Sequence, residues 1–445
     1  MKIMIVGAGK LGYKLANSLS SGNTDITVID TSADVLNDIS EQLDVMVIQA
    51  SGTQISTLKE LNIHTYDFII AVTDNDETNI VISNLAKKLG CKKAIARVRN
   101  PEYNEHLNFL KASMDIDHVI NPDLATANEF ERYLFKSNTF YSGDFANGKV
   151  TMVDLNVANL PGFAGKKLME LDIIKRGLLI VAISRNGEII IPNGSTKILD
   201  NDTLYIIGKS ENINSLSAKS NSLLPTRYIK KVMILGGGKI GYYLTKKLTG
   251  LGVAVKIIEI DMRRCEYLSE NLPEALVIHG DGSNMGLLEE EDISKMDAFI
   301  GATGFDEENL LMTLLAKQAG VKKVIAKVSK PNYVKLIEKL GVDIALSPID
   351  ITVSEVLKHI RGENTVSVSL LLGGQAEITE VIAEKKMSIV GKPLYQANIP
   401  KGIIVATVVH EGQVIIPNGK TVIHENDRMI IFSLSSQFTP EILFK

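Results

Sequence analysis

Val6-Gly7-Ala8-Gly9-Lys10-Leu11-Gly12, VGAGKLG, follows the apolar run KIMI and leads into leucines at helical spacing, Leu11, Leu15 and Leu19. A glycine loop between a strand and a helix has a definite chemistry. The first glycine permits a tight turn, the second lets the backbone approach a pyrophosphate, and the third lets helix and strand pack closely. The helix start then offers unpaired N–H groups and a partial positive charge to phosphates. Leu235 to Gly241, LGGGKIG, repeats the pattern after KVMI, with Gly236, Gly237, Gly238, Lys239, Ile240 and Gly241 in the loop and Leu244 and Leu248 behind it. In both copies an acid, Asp30 or Glu259, stands 23 residues after the first glycine and beyond a second apolar run. Such an acid accepts hydrogen bonds from ribose hydroxyls and repels a 2′-phosphate, which favours NAD or ADP/ATP over NADP. Lys10 and Lys239 either reach the phosphates or sit solvated in the first helical turn.

The repeat extends well beyond the loops. Gly236 and Glu259 lie 229 residues after Gly7 and Asp30; Thr303 and Pro331 lie 230 after Thr73 and Pro101. Gly402, Pro417 and Asp427 lie 225 after Gly177, Pro192 and Asp202. The chain is therefore a duplication, with a small deletion inside the second copy. The first part of each copy alternates apolar runs with helical patterns, which implies an α/β fold with a doubly wound, Rossmann-like parallel sheet. The second part, with RNGE, PNGS and DND between short β-rich runs, implies a small β-rich α+β module. The expected divisions are 1–136 and 229–362 for the α/β domains and 149–210 and 366–445 for the modules. Lys136–Lys149 is expected to be a boundary, and Lys209–Tyr228, polar and rich in Ser and Asn, a linker.

More candidates lie at the expected carboxyl ends of the strands, where such sheets bind ligands. AVTDNDETN carries Thr73, Asp74 and Asn79; GATGFDEEN carries Thr303, Gly304 and Asn309. Gly280-Asp281 follows the third run of the second copy, where the first has Ala50-Ser51. Arg97 and Lys327 follow the fifth run, within reach of a phosphate. Plainer roles stand beside these: Thr and Asn cap helices, and Asp281 fixes a turn.

The 48 basic and 52 acidic residues among 445 leave a net charge of -4, which points away from nucleic acid or an anionic membrane surface as the main partner. Two distant cysteines, Cys91 and Cys265, make no disulfide framework. No apolar run is long enough to span a bilayer, so the chain is expected to lack its own transmembrane segment. The seven histidines are scattered without metal-ligand spacing, and no nucleophile or Walker motif appears. No catalytic or metal-binding residue is therefore expected.

With the tandem glycine loops, AVTDNDETN, IARVRNPEY and the repeated β modules, the sequence resembles the TrkA family over nearly its whole length. These are regulatory subunits of bacterial and archaeal Trk potassium uptake systems. The resemblance implies two regulator-of-potassium-conductance (RCK) domains, each with a C-terminal ligand-sensing module. It further implies a cytosolic, peripheral protein that forms a homo-oligomeric ring beneath a membrane-embedded potassium subunit (TrkH or TrkG). That ring gates the subunit in response to NAD(H) and ATP/ADP. On this resemblance the first site uses Gly7 to Leu11, Asp30, Thr73, Asp74 and Arg97. The second uses Gly236 to Ile240, Glu259, Asp281, Thr303 and Gly304. The departures at Ala50-Ser51 and Gly304 imply sites with different nucleotide preferences. Two rivals remain: an NAD-dependent oxidoreductase with duplicated cofactor domains, and a nucleotide sensor of another cation channel.

Overall fold

The computed structural model describes residues 1–20, 24–135, 142–185, 188–219, 229–330, 333, 342–361, 364–371 and 374–434. Lys2–Val6 forms the first strand, with Ile3, Met4, Ile5 and Val6 all buried. Burial on consecutive residues means that both faces are covered, as in a sheet flanked by helices. This strand pairs in parallel with Asp25–Asp30 on one side and Phe68–Ala71 on the other. Met46–Gln49, Lys93–Arg97 and His118–Ile120 complete a sheet of order 3-2-1-4-5-6. The order reverses at the first strand, and a crevice opens there at the carboxyl ends. The second copy repeats the order with Lys231–Leu235, Ala254–Glu259, Leu276–His279, Ala298–Gly301, Lys323–Lys327 and Ile344–Leu346. The sixth strand of each sheet is a three-residue element that the apolar-run pattern did not reveal.

The helices after the loops are Lys10–Leu19 and Lys239–Gly250. Leu15 and Leu19 in the first, and Ile240, Leu244 and Leu248 in the second, are buried, as their spacing requires.

The two β-rich modules share one topology. The first sheet runs Glu188–Ile190, Leu178–Arg185, Thr203–Lys209, Val150–Asn156, Ser142–Phe145. The second runs Gln413–Ile415, Ile403–His410, Arg428–Leu434, Ala376–Ile382, Thr365–Leu371. They bury a common core that joins Phe145, Met152, Val181 and Ile207 of one to Ile378, Ala406, Ile430 and Phe432 of the other. Each sheet is apolar on both faces: the duplicate covers one, and the other carries Ile183, Leu204 and Ile206 of the first module, or Val408, Met429 and Ile431 of the second, into that module's own core.

Three features differ from the sequence reading. Ser142–Phe145, placed in a boundary, is an edge strand paired with Val150–Asn156. Ser210–Lys219, placed in the linker, is a helix that inserts Ile213 and Leu216 into the first module's core; the rest of that linker, 220–228, lies outside the described residues. Third, contacts divide the chain into a unit of 1–126 with 348–362 and a unit of 127–347 with 363–445. The helix Pro348–Ile360, placed in the second α/β domain, thus belongs with the first sheet. There Lys14 pairs with Asp350 at 3.4 Å and His359 stacks on His118 at 3.8 Å. In the other unit, Lys247 pairs with Glu131 at 2.6 Å and Lys323 donates to the Leu134 carbonyl at 3.1 Å. Burial pushes the Lys323 ammonium down to about 8.

Candidate nucleotide sites

Each glycine loop is fixed by contacts that leave no room for a side chain. Gly7 has φ +106°, and a Cβ there would stand 2.9 Å from the Thr73 nitrogen; Gly236, at φ +104°, would meet the Thr303 nitrogen at the same distance. A Cβ on Gly12 would lie 1.8 Å from the Gly7 carbonyl oxygen, and one on Gly241 2.1 Å from that of Gly236. The first and third glycines therefore serve turn and packing. At Gly9 and Gly238, by contrast, a Cβ would meet nothing within 4 Å. The backbone is open on this side.

Gly9 and Gly238 are the N-caps of their helices, with no side-chain cap and no acid in the first turn. The first-turn N–H groups, Leu11 and Ile240 included, lack intrahelical acceptors and present a partial positive end. Lys10 is exposed and Lys239 half-buried, and neither has an ion-pair partner among the described residues.

The acids stand at the loop rim. Asp30 accepts from the Ala8 N–H at 2.6 Å and the Ser32 N–H at 2.9 Å. Glu259 accepts from the Gly237 N–H at 2.7 Å and the Asp261 N–H at 2.9 Å. Both are half-buried. These bonds leave acceptor positions on each acid, since a carboxylate has about four.

The facing strand ends are held by an asparagine. Thr73 donates both its N–H and its hydroxyl to Asn79 Oδ1, at 2.8 and 2.7 Å, and the Asn79 amide donates to the carbonyls of Thr73 and Arg97. Thr303 and Asn309 repeat this, with Asn309 donating to Thr303 and Lys327 carbonyls. Both asparagines are fully buried. The hydroxyls of Thr73 and Thr303 are thus committed as donors, and Asn79 and Asn309, whose helix-capping reading was the plainer one, tie two strand ends together.

Arg97 donates to the Thr73 carbonyl at 2.9 Å and lies 3.5 Å from Asp74, whose side chain is fully exposed. Its buried Nε has no acceptor among the described residues. Burial, then the Arg99 charge, lowers its affinity for the proton. Lys327 occupies the matching place and donates to the Thr303 carbonyl. Gly304, in the place of Asp74, is open. Gly280 donates its N–H to the Glu259 carbonyl. Asp281 is exposed and accepts from the Ser283 N–H and hydroxyl, which hold its carboxyl below the usual range.

Two rim residues of the second site escaped the sequence reading. Arg264 donates to the Gly237 carbonyl at 2.6 Å and lies over the Tyr267 ring at 4.6 Å. Glu308 lies 3.4 Å from the Thr303 hydroxyl, and burial, aided by Asp281 and Glu259, raises its carboxyl. The first copy has Val35 and Thr78 in these places, so comparing the copies position by position was the available signal.

Among the described residues no helix is long and apolar enough to cross a membrane. The TrkA-N domain model matches residues 3–122 and 232–348, and the TrkA-C domain model matches 152–221 and 378–439. The chain is 38% identical over 454 aligned residues to a Trk system potassium uptake protein TrkA homolog from Methanosarcina mazei, covering 100% of both. Its fold is similar to that of the GsuK RCK domain, with TM-score 0.58, 20% identity and coverage of 98% of this chain and 93% of that one. It is similarly close to the GsuK channel bound to NAD, with TM-score 0.58, 20% identity and coverage of 98% and 77%. At that identity the likeness is one of fold. Tandem TrkA-N and TrkA-C matches, together with the full-length relative, place this chain in the TrkA family of Trk potassium uptake proteins.

Proposed function

We propose that this chain is a nucleotide-responsive regulatory subunit that gates a membrane potassium transporter. The observation that carries the reading is the duplicated cradle: two loops closed on one side by Gly7/Gly12 and Gly236/Gly241 and open at Gly9 and Gly238, each facing an uncapped helix start and a rim acid. NAD(H), ADP or ATP fits this chemistry, with phosphates at the helix start and ribose at Asp30 or Glu259. Gly7 to Gly12 with Thr73, Asp74 and Arg97 line the first site. Gly236 to Gly241 with Gly280, Asp281, Thr303 and Gly304 line the second. The nucleotide is bound and not turned over. The NAD named with the GsuK channel and the potassium uptake named for the relative support the reading by analogy.

The partner is a membrane-embedded, TrkH- or TrkG-like potassium subunit, which a homo-oligomeric ring of this chain engages from the cytoplasmic side. A nucleotide shifts the gate only by as much as its affinity differs between two ring states. The test is potassium flux through the purified partner in vesicles, with this chain added. Flux that changes with NAD(H) or ATP/ADP, and loses that response in the Asp30→Ala and Glu259→Ala variants, is expected. Flux indifferent to nucleotide, or NADH oxidation with a metabolite, overturns the proposal.

A further inference from the structure

The two β modules differ in what surrounds one buried aspartate. In the first, Arg185 closes its strand and clamps Asp202 with two parallel bonds, 2.8 Å from Nε and 2.7 Å from Nη2, while the Leu199 N–H donates to the same carboxylate at 2.8 Å. The guanidinium also donates to the Lys197 carbonyl at 2.8 Å. Every oxygen of Asp202 is thereby served by the chain itself.

In the second module the aspartate and its turn persist, but the cation does not. Asp427 is 3% exposed and accepts from the His424 N–H at 2.8 Å, as Asp202 does from Leu199. Arg185 becomes His410, at the end of Ile403–His410, and Leu199 becomes His424. His410 Nδ1 lies 2.6 Å from Asp427 Oδ1. His424 Nδ1 lies 3.7 Å from Oδ2, too far for a hydrogen bond, and the two rings are 4.5 Å apart. An imidazole offers one nitrogen where the guanidinium offered a fork, so one carboxylate oxygen and one ring nitrogen face each other without closing. The three ligand atoms all lie within 4.8 Å of one another.

We propose that His410, His424 and Asp427 form a binding site for a transition-metal dication of the Zn²⁺ class. Two imidazole nitrogens and one carboxylate oxygen are the ligand set of an open tetrahedral zinc site, with water in the fourth place. Metal–ligand bonds of about 2.0–2.2 Å require ligand atoms roughly 3.3 Å apart. Seating the ion opens the His410–Asp427 contact from 2.6 Å, with loss of the proton between them, and draws the exposed His424 ring in from 3.7 Å. The aspartate is positioned by its own turn, as its twin in the first module is. No spacing pattern marks this group, because His410 and His424 are fourteen residues apart and meet only when the strand end and the turn before Arg428–Leu434 are brought together.

The test is equilibrium dialysis of the full chain, stripped with chelator, against Zn²⁺ alone. One tightly held Zn²⁺ per chain is expected. His410→Arg with His424→Leu writes the first module's ion pair into the second; this variant keeps the module's Asp–cation clamp and loses the ion. His424→Leu alone, at an exposed position, weakens binding by more than about 100-fold. The far-ultraviolet circular dichroism of each variant confirms the fold. No Zn²⁺ on the wild type, or the same stoichiometry and affinity in folded His424→Leu, overturns the proposal.

Discussion

The two nucleotide cradles have one backbone and two rims. Both loops turn at a glycine of positive φ pressed against a strand end, and both hold that end through a buried asparagine. Around this frame the first copy places Val35, Ser51, Asp74 and Thr78, and the second Arg264, Asp281, Gly304 and Glu308. Close packing keeps the frame the same in both copies, whereas the rim varies in size, charge and polarity. The duplication thus separates what holds the loop and strand ends together from the rim that is proposed to choose the nucleotide.

The comparison breaks most severely if the frame is filled. Gly12→Val or Gly241→Val puts carbon into a carbonyl oxygen and should destabilise its own α/β domain by more than about 4 kcal/mol. Hydrogen exchange should show the loss confined to the altered half. Asn79→Ala or Asn309→Ala leaves buried donors and carbonyls unpaired, at a cost of about 2–3 kcal/mol each, equal in the two copies; urea denaturation measures it. Arg264→Ala sharpens the difference between the rims. It should weaken nucleotide at the second site about tenfold, ~1.4 kcal/mol, and leave the first unchanged by calorimetry.

The smallest effect compares the last helices of the two α/β repeats. Glu129 pairs with Arg132 on Pro122–Phe135, whereas its counterpart Glu355 has a buried Oε2 without a partner among the described residues. Burial pushes the Glu355 carboxyl up to about 7. The folded state then holds a proton that the unfolded chain has released, so this contribution is complete below the ordinary carboxylate value. It is lost as pH rises through about 7. Melting midpoints from pH 4.5 to 8 should fall less steeply in Glu355→Gln than in the wild type.

The cradles were legible in the sequence because glycine constraints, strand burial and helical spacing are local and occur twice. What escaped was non-local or singular. Asn79 shows its role only when two strand ends meet, and Arg264 has no twin. The helix Ser210–Lys219 hides two apolar residues among serines and asparagines, and Ser142–Phe145 needs its partner strand to be seen as a strand. The grouping of Pro348–Ile360 with the first sheet is written in contacts more than two hundred residues apart.

The most direct test of two nucleotide sites per chain is a calorimetric titration of NADH, and separately of ADP, into the wild type and into Gly9→Asp and Gly238→Asp. Each substitution places a carboxylate in the open side of one cradle, where a Cβ meets nothing. Two sites summed over the nucleotides in the wild type, and one remaining in each variant, is the predicted result. Binding that neither substitution alters, or no binding at all, contradicts the account.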